Sequence, residues 1–331
     1  MKVYRFDTFG SLDGLRLHEE AIPEVGPGQV LVRARASSLN FRDLLIANNA
    51  YPFGAVEGRI PNSDGAGEIE AVGEGVSRFK VGDRVLTTFF PNWLGGRIPV
   101  KREHYMGEHD GWLAEYRVVN AEILSLLPDH LSFEEGSTLP CAALTAWQAL
   151  AGVGPGDTVL TLGTGGVSIF AVQIAKLLGA RVIATTSSND KFDRLKQLGA
   201  DELINYKDTP EWSGAVRDLT GGVGADRIIE VGGPATIAQS VKAVALGGQV
   251  SLIGALGMEG EGIDFMKLFV TQATFKAIGV GSRSDLEEMN RAIALHKFRP
   301  VIDSVFEFSD ARAAYEHFAS RNLFGKVVIR S

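Results

Sequence analysis

Between Gln29 and Ser37 apolar and polar side chains alternate: Val30, Val32, Ala34 and Ala36 fall on one face, Arg33 and Arg35 on the other. A period of two predicts a half-buried strand. Shorter runs at Gly67–Val72 and Arg84–Thr88 read the same way, with Gly73, Gly75 and the Gly82-Asp83 pair as turn residues between them. Residues 1–140 are therefore expected to form a small β-rich domain. From about Asp157 the pattern changes. Thr158–Leu162, Arg181–Thr186, Glu202–Asn205, Arg227–Val231 and Gln249–Ile253 read as strands, and segments with helical spacing lie at Ile169–Leu178, Asn189–Gln197 and near Ile237–Ala245. Strand–helix alternation of this kind predicts an α/β fold with a parallel, doubly wound sheet. The tail adds helices near Leu286–His296 and Ala311–Phe318 and a strand at Lys326–Ile329.

Length supports the division, because one hydrophobic core seldom grows past about 250–300 residues and this chain has 331. A net charge of -7 with no Lys/Arg cluster speaks against a nucleic-acid partner. A single cysteine, Cys141, excludes an intrachain disulfide and a multi-cysteine zinc site. The start MKVYRFDTFG lacks a signal-peptide pattern, and no apolar run reaches the roughly 18 residues of a membrane span. A cytoplasmic protein is expected.

The sharpest local signal is Gly163-Thr164-Gly165-Gly166-Val167-Ser168, between a predicted strand and a predicted helix. A dinucleotide turn needs one glycine to turn and a second to let the backbone approach the pyrophosphate, which rests on the helix N-terminus. Gly163 and Gly165 fill those places; the third, packing position is Ser168. Such a turn without its flanking elements is only a turn, so the strand before and the helix after carry the argument. An NAD site usually closes its second strand with an acid that grips the ribose 2′-hydroxyl. Here that strand ends Thr185-Thr186-Ser187-Ser188, with Lys191 and Arg194 downstream. Hydroxyls and a cation suit a 2′-phosphate, so NADP is the expected cofactor.

At this point the chain resembles the medium-chain dehydrogenase/reductase family, in particular its zinc-free quinone oxidoreductase-like branch. The resemblance rests on Ala36-Ser37-Ser38-Leu39-Asn40-Phe41-Arg42-Asp43, Gly65-Ala66-Gly67, Val81-Gly82-Asp83-Arg84-Val85, Leu139-Pro140-Cys141-Ala142-Ala143-Leu144-Thr145-Ala146-Trp147, the glycine turn, and Phe324-Gly325-Lys326-Val327-Val328-Ile329. It implies a GroES-like catalytic domain over residues 1–140 and 279–331, with a Rossmann domain inserted over 141–278. Where zinc-dependent relatives place cysteine, histidine and cysteine, this chain has Asn40, Ser63 and Cys141, and Asp64 stands for their glutamate. One thiol, an amide and a hydroxyl make a poor zinc site, so no metal is expected. The cluster Glu103–Asp110 collects metal-capable side chains but fits no ligand spacing.

Hydride transfer puts negative charge on a substrate oxygen, which calls for hydrogen-bond donors. The resemblance implies Asn40 near the nicotinamide, Tyr51 in the pocket with a phenol to donate, Asp43 orienting Asn40 or Tyr51, and Thr145 beside the nicotinamide. Plainer readings stand beside three of them: Asn40 as a cap, Asp43 as a helix N-terminal residue and Tyr51 as a wedge against Pro52. For the cofactor it implies Tyr206 against the 2′-phosphate, Gly232 at a strand end, Gly254-Ala255-Leu256 passing the nicotinamide amide, and Asn322 and Phe324 closing from the tail. Trp93, Trp112 and Phe265 are wall candidates. The expected activity is NADPH-dependent reduction of a quinone, enone or related activated carbonyl. The alternatives are an alcohol dehydrogenase with a degenerate zinc site and a non-catalytic NADPH-binding protein. A homodimer is expected, pairing through the strand near Phe275–Gly281.

Overall fold

The computed structural model describes residues 1–331 except Ala255, Met258 and Glu261. The chain divides into two compact units, Met1–Leu144 with Val280–Ser331, and Thr145–Gly279. The first segment holds strands β1 (Lys2–Phe6), β2 (Leu15–Glu19), β3 (Gln29–Ser38), β4 (Asp64–Val72), β5 (Arg84–Thr87), β6 (Tyr116–Asn120) and β7 (Leu124–Leu126). The inserted unit holds β8 (Thr158–Thr161), β9 (Arg181–Thr186), β10 (Glu202–Asn205), β11 (Ala225–Glu230), β12 (Val244–Leu252) and β13 (Thr274–Ala277). The chain then returns to the first unit with β14 (Ile302–Glu307) and β15 (Lys326–Arg330).

Among the described residues, the first unit's main sheet runs β14-β15-β3-β4-β5-β7, with β6 on β3 and a separate β1-β2 pair. Val30, Val32 and Ala34 of β3 face a core with Ile69, Val85, Tyr105 and Trp112, so the expected alternation is realised. A second core gathers Phe6, Leu39, Leu44, Ile46, Tyr315, Val327 and Ile329. It is built from the two ends of the sequence: β15 pairs antiparallel with β3, Val328 opposite Ser38. Trp112 is 0% exposed and packs within this unit, a core residue rather than a pocket wall.

The inserted unit is a parallel sheet in the order β10-β9-β8-β11-β12-β13. β8 comes first in sequence and sits in the middle, so the winding reverses between β8 and β11. Open α/β sheets bind ligands outside the carboxyl ends of their strands at such a reversal. The core of this unit gathers Leu160, Ile183, Ile204, Ile228 and Val250 from five strands. The helix Trp212–Leu219 was not expected: Gly214 interrupts its pattern, yet Trp212, Ser213 and Val216 are buried along one face. Among the described residues no helix is long and apolar enough to cross a membrane.

Candidate active site

The glycine turn leaves the carboxyl end of β8. Gly163 has φ +75, which a side chain strains, and its amide donates to Thr185 Oγ1 on β9 at 3.1 Å. Gly165 caps the helix Gly166–Leu177, whose first N–H groups have no partner within the helix and point where an anion can be received. Ser168, in the third position, turns its hydroxyl back onto the Leu162 carbonyl at 2.7 Å. It therefore ties helix to strand by a hydrogen bond where glycine would do so by close approach.

Around this turn the structure gathers the other residues expected at the adenosine end. Lys191 Nζ donates to Thr164 Oγ1 at 3.1 Å. Thr186 ends β9, and its carbonyl accepts the amide of Tyr206 at 3.0 Å. Ser187 and Ser188 follow, and Ser188 caps a short turn by accepting the Asp190 amide. Asp190 is a residue the sequence pattern did not single out: its Oδ2 accepts the Ser188 hydroxyl at 3.1 Å, so an acid stands four positions beyond the strand end. Gly232, Gly254 and Leu256 meet past β11 and β12, where Gly254 and Leu256 donate amides to Glu230 and Val231 and Gly257 donates to Gly232. Ala255 lies outside the described residues. The Gly232 turn is shaped by Glu230, fully buried, which accepts the amides of Gly232 at 2.8 Å and Gly233 at 3.0 Å and the hydroxyls of Thr236 and Ser240. Thr145 is buried on the helix Leu144–Ala149.

The first unit carries a different kind of site. Asn40 precedes the helix Phe41–Ala47, and its amide donates to Asp43 Oδ2 at 2.8 Å. Its carboxamide belongs to a closed ring of buried groups. Lys326 Nζ donates to Asn40 Oδ1 at 2.6 Å, Asn40 Nδ2 to Ser63 Oγ at 3.3 Å, Ser63 Oγ to Asp64 Oδ1 at 3.5 Å, and Lys326 Nζ reaches Asp64 Oδ2 at 3.4 Å. The third Lys326 donor goes to the Leu39 carbonyl at 2.7 Å. The Ser38 hydroxyl stands between Asp64 Oδ2 and the Ser137 carbonyl. All are interior: Lys326 is 2% exposed, Asp64 and Ser63 0%, Asn40 7%. Burial pushes the Asp64 carboxyl up and the Lys326 ammonium pulls it back, with a net rise. Burial raises the Asp43 carboxyl from 3.8 to about 6 against the pull of Arg42, which lies 3.9 Å from Oδ1 without hydrogen-bonding to it. Lys326, Ser63 and Asp64 were not expected as a unit. The available signal was a lysine heading the otherwise apolar run Val327-Val328-Ile329.

Tyr51 lies beneath the Arg42 guanidinium, 4.8 Å from ring centre, with Phe53 edge-on at 5.5 Å. Two expectations change. Phe324 is 2% exposed and its amide is held by Asp303 at 2.8 Å, so its ring packs in the interior. Phe265 is 70% exposed on the helix Phe265–Thr271 and walls nothing within its unit. Asn322 is exposed, its amide on Ser320 Oγ. Trp93 donates its indole N–H to the Gly96 carbonyl. In the Glu103–Asp110 loop, His104 pairs with Glu108 and His109 with Glu103, two separate pairs.

Family models match both units: "Alcohol dehydrogenase GroES-like domain" over residues 26–129 and "Zinc-binding dehydrogenase" over 166–295. A zinc-type alcohol dehydrogenase-like protein of Schizosaccharomyces pombe is 42% identical, across 98% of this chain and 97% of its own. The chain belongs to the medium-chain dehydrogenase/reductase family. A chloroplastic quinone-oxidoreductase of Triphysaria versicolor is 31% identical over 99% of this chain and 98% of its own. A crystal structure of an NAD-dependent alcohol dehydrogenase superposes with a TM-score of 0.92 at 35% identity, covering all of both chains. The protein is thus an oxidoreductase of a family that binds nicotinamide cofactors, and the doubly wound insert in a GroES-like unit is that family's fold.

The zinc that the family name implies does not fit these residues. At the matching places stand an amide engaged by an ammonium, a hydroxyl, and the Cys141 thiol. Burial first, then the Asp64 charge, pushes that thiol far above its ordinary range. Zinc draws its protein ligands from thiolate, imidazole and carboxylate, and here an amide and a hydroxyl fill two of the three places, beside a lysine whose charge opposes the ion.

Proposed function

We propose that this protein is an NADPH-dependent reductase that passes hydride to a quinone, an enone or a related activated carbonyl without a metal. The observation that carries the reading is the neutral donor set at Asn40: an amide held by the Lys326 ammonium and bonded to the Ser63 hydroxyl. Quinones and enones are activated by their own conjugation and ask only for hydrogen-bond donors at the oxygen that gains charge. Kinship with a quinone-oxidoreductase supports the same class.

NADPH, when bound, supplies the hydride. The turn Gly163–Val167 would hold its pyrophosphate, while Thr186, Ser187, Ser188, Lys191 and Tyr206 would serve the adenosine ribose and 2′-phosphate. Gly232, Gly254, Leu256 and Thr145 would serve the nicotinamide half. Asn40 spends one Nδ2 hydrogen on Ser63 and has a second to offer an acceptor oxygen. Asp43 fixes the Asn40 backbone, and we assign proton delivery to the Tyr51 phenol.

Asp190 favours a second reading, an NAD-dependent enzyme, since a carboxylate beside Ser188 repels a 2′-phosphate and suits a ribose diol. Initial rates with NADPH and NADH against naphthoquinone and cyclohexenone, with and without chelator, decide between them. Chelator-insensitive turnover at least about tenfold better with NADPH supports the proposal. Stoichiometric zinc with alcohol oxidation overturns it, as does tight NADPH binding with no hydride passed to any acceptor. We also read the enzyme as a cytoplasmic homodimer. Edge strand β13 has no neighbour beyond it among the described residues, and Phe265, Met266, Phe269 and Val270 are exposed on the preceding helix. The ladder available for pairing is Thr274–Ala277, shorter than the Phe275–Gly281 run read from sequence.

A further inference from the structure

A carboxamide has two ends of nearly equal size, and only its partners decide which faces a substrate. At Asn40 the choice is forced by Lys326, which has three donors and no acceptor, so the amide oxygen must face it. The nitrogen is thereby turned toward Ser63 and away from the cation. A lysine present only to neutralise Asp64 would close on the carboxylate. Lys326 does the reverse: it lies 2.6 Å from the amide oxygen and 3.4 Å from Asp64 Oδ2. The backbone explains why. Gly325, at φ +105, brings the chain so close to the Val301 carbonyl that a Cβ would stand 2.4 Å from it. β15 then runs between β14 and β3, delivering the ammonium to the junction of β3 and the helix Phe41–Ala47.

We infer that Lys326 is a positioning residue for hydride transfer: its ammonium holds the Asn40 carboxamide in one orientation and polarises it, so that an N–H faces the substrate oxygen. The inference deepens the reductase reading above and rests on it. The positive charge that zinc-type relatives take from a metal is here part of the chain. A charge-assisted bond to the oxygen withdraws electron density from the amide and strengthens its N–H as a donor, since hydrogen bonds in series reinforce one another. Neither Asn40 nor Lys326 changes protonation in the process; the pair orients and stabilises.

The test uses three variants of the full chain: Lys326→Met, Asp64→Asn and the double. Lys326→Met should lower kcat for quinone or enone reduction about 10–100-fold, part of the loss seen when an oxyanion donor is removed, with KM for NADPH nearly unchanged. Because it also leaves Asp64 unpaired in the interior, its melting temperature should fall. The double variant removes both charges, and should regain the melting temperature but not kcat. Recovery of kcat in the double variant would reduce Lys326 to a counter-ion and overturn the inference. A second readout needs no turnover. With [15N]Asn label, the side-chain NH2 pair that disappears in Asn40→Ser should shift and broaden in Lys326→Met, while the other pairs stay. An unmoved pair overturns the inference even if the enzyme is active. An absence of reduction by wild type sinks the parent reading alone, leaving the amide signal to decide this one.

Discussion

The glycine turn of the inserted unit and the polar ring around Asn40 handle charge in opposite ways. The turn works through backbone: amides at a helix N-terminus, one left-handed glycine, and a serine that fastens helix to strand. Its side chains serve to fasten the turn, as Ser168 and Lys191 do. The ring works through side chains drawn from β3 and its exit, β4 and β15, buried and mutually satisfied before any ligand arrives. A backbone site tolerates drift in the sequence around it. A side-chain ring does not, because removing one member leaves a neighbour desolvated and unpaired.

Substitutions at each site should separate the two. The largest effect is expected at Asn40→Leu, which removes the donor and an acceptor of the ammonium together. kcat/KM for the acceptor should fall about 10²–10³-fold with NADPH affinity intact by fluorescence titration; equal loss of cofactor affinity would dissolve the distinction. Next comes pH. The Asp43 carboxyl sits at about 6 in the folded protein against an ordinary 3.8. The folded state therefore holds that proton more tightly, giving stability that is full below about pH 4 and lost as pH rises through 6. Asp43→Asn should gain on wild type by roughly 3 kcal/mol between pH 4 and 7 in denaturant titrations, and a pH-independent difference would refute the assignment. On the other side, Gly163→Val should weaken NADPH about 10–100-fold through backbone strain while leaving that pH profile alone. The smallest change is Lys191→Ala, expected to cost NADPH a few-fold and NADH nothing; equal losses would favour the Asp190 reading. Phe269→Glu should shift the protein toward monomer in light scattering, with little effect on either site.

The same contrast explains what could be read from the residues alone. Strands β9 and β10 were legible to the residue, and the glycine turn was legible because strand, turn and helix are contiguous, so its whole argument fits in a window of twenty residues or so. Asn40 and Asp43 were visible by resemblance, and the structure adds that one holds the other's backbone. Lys326 was not legible: it meets Asn40 across 286 residues of sequence, and within its own strand it looks like an edge charge. Ser63 and Asp64 were read only as departures from a zinc pattern, because a hydroxyl and a carboxylate gain a role once an ammonium is set between them. Asp190 was missed through attention to the strand terminus, when the turn that follows brings it back onto Ser188. The burial of Phe324 was not legible, because an aromatic in the tail says nothing about burial.

Gly325 carries one last implication, about time rather than space. The bend that lets β15 set its lysine beside Asn40 is synthesised only after the entire inserted unit. Until it folds back, Asp64 has its serines but no cation. The inserted unit can thus be complete in a nascent chain while Asn40 and Asp64 still lack their ammonium, which arrives only when β15 pairs with β14 and β3.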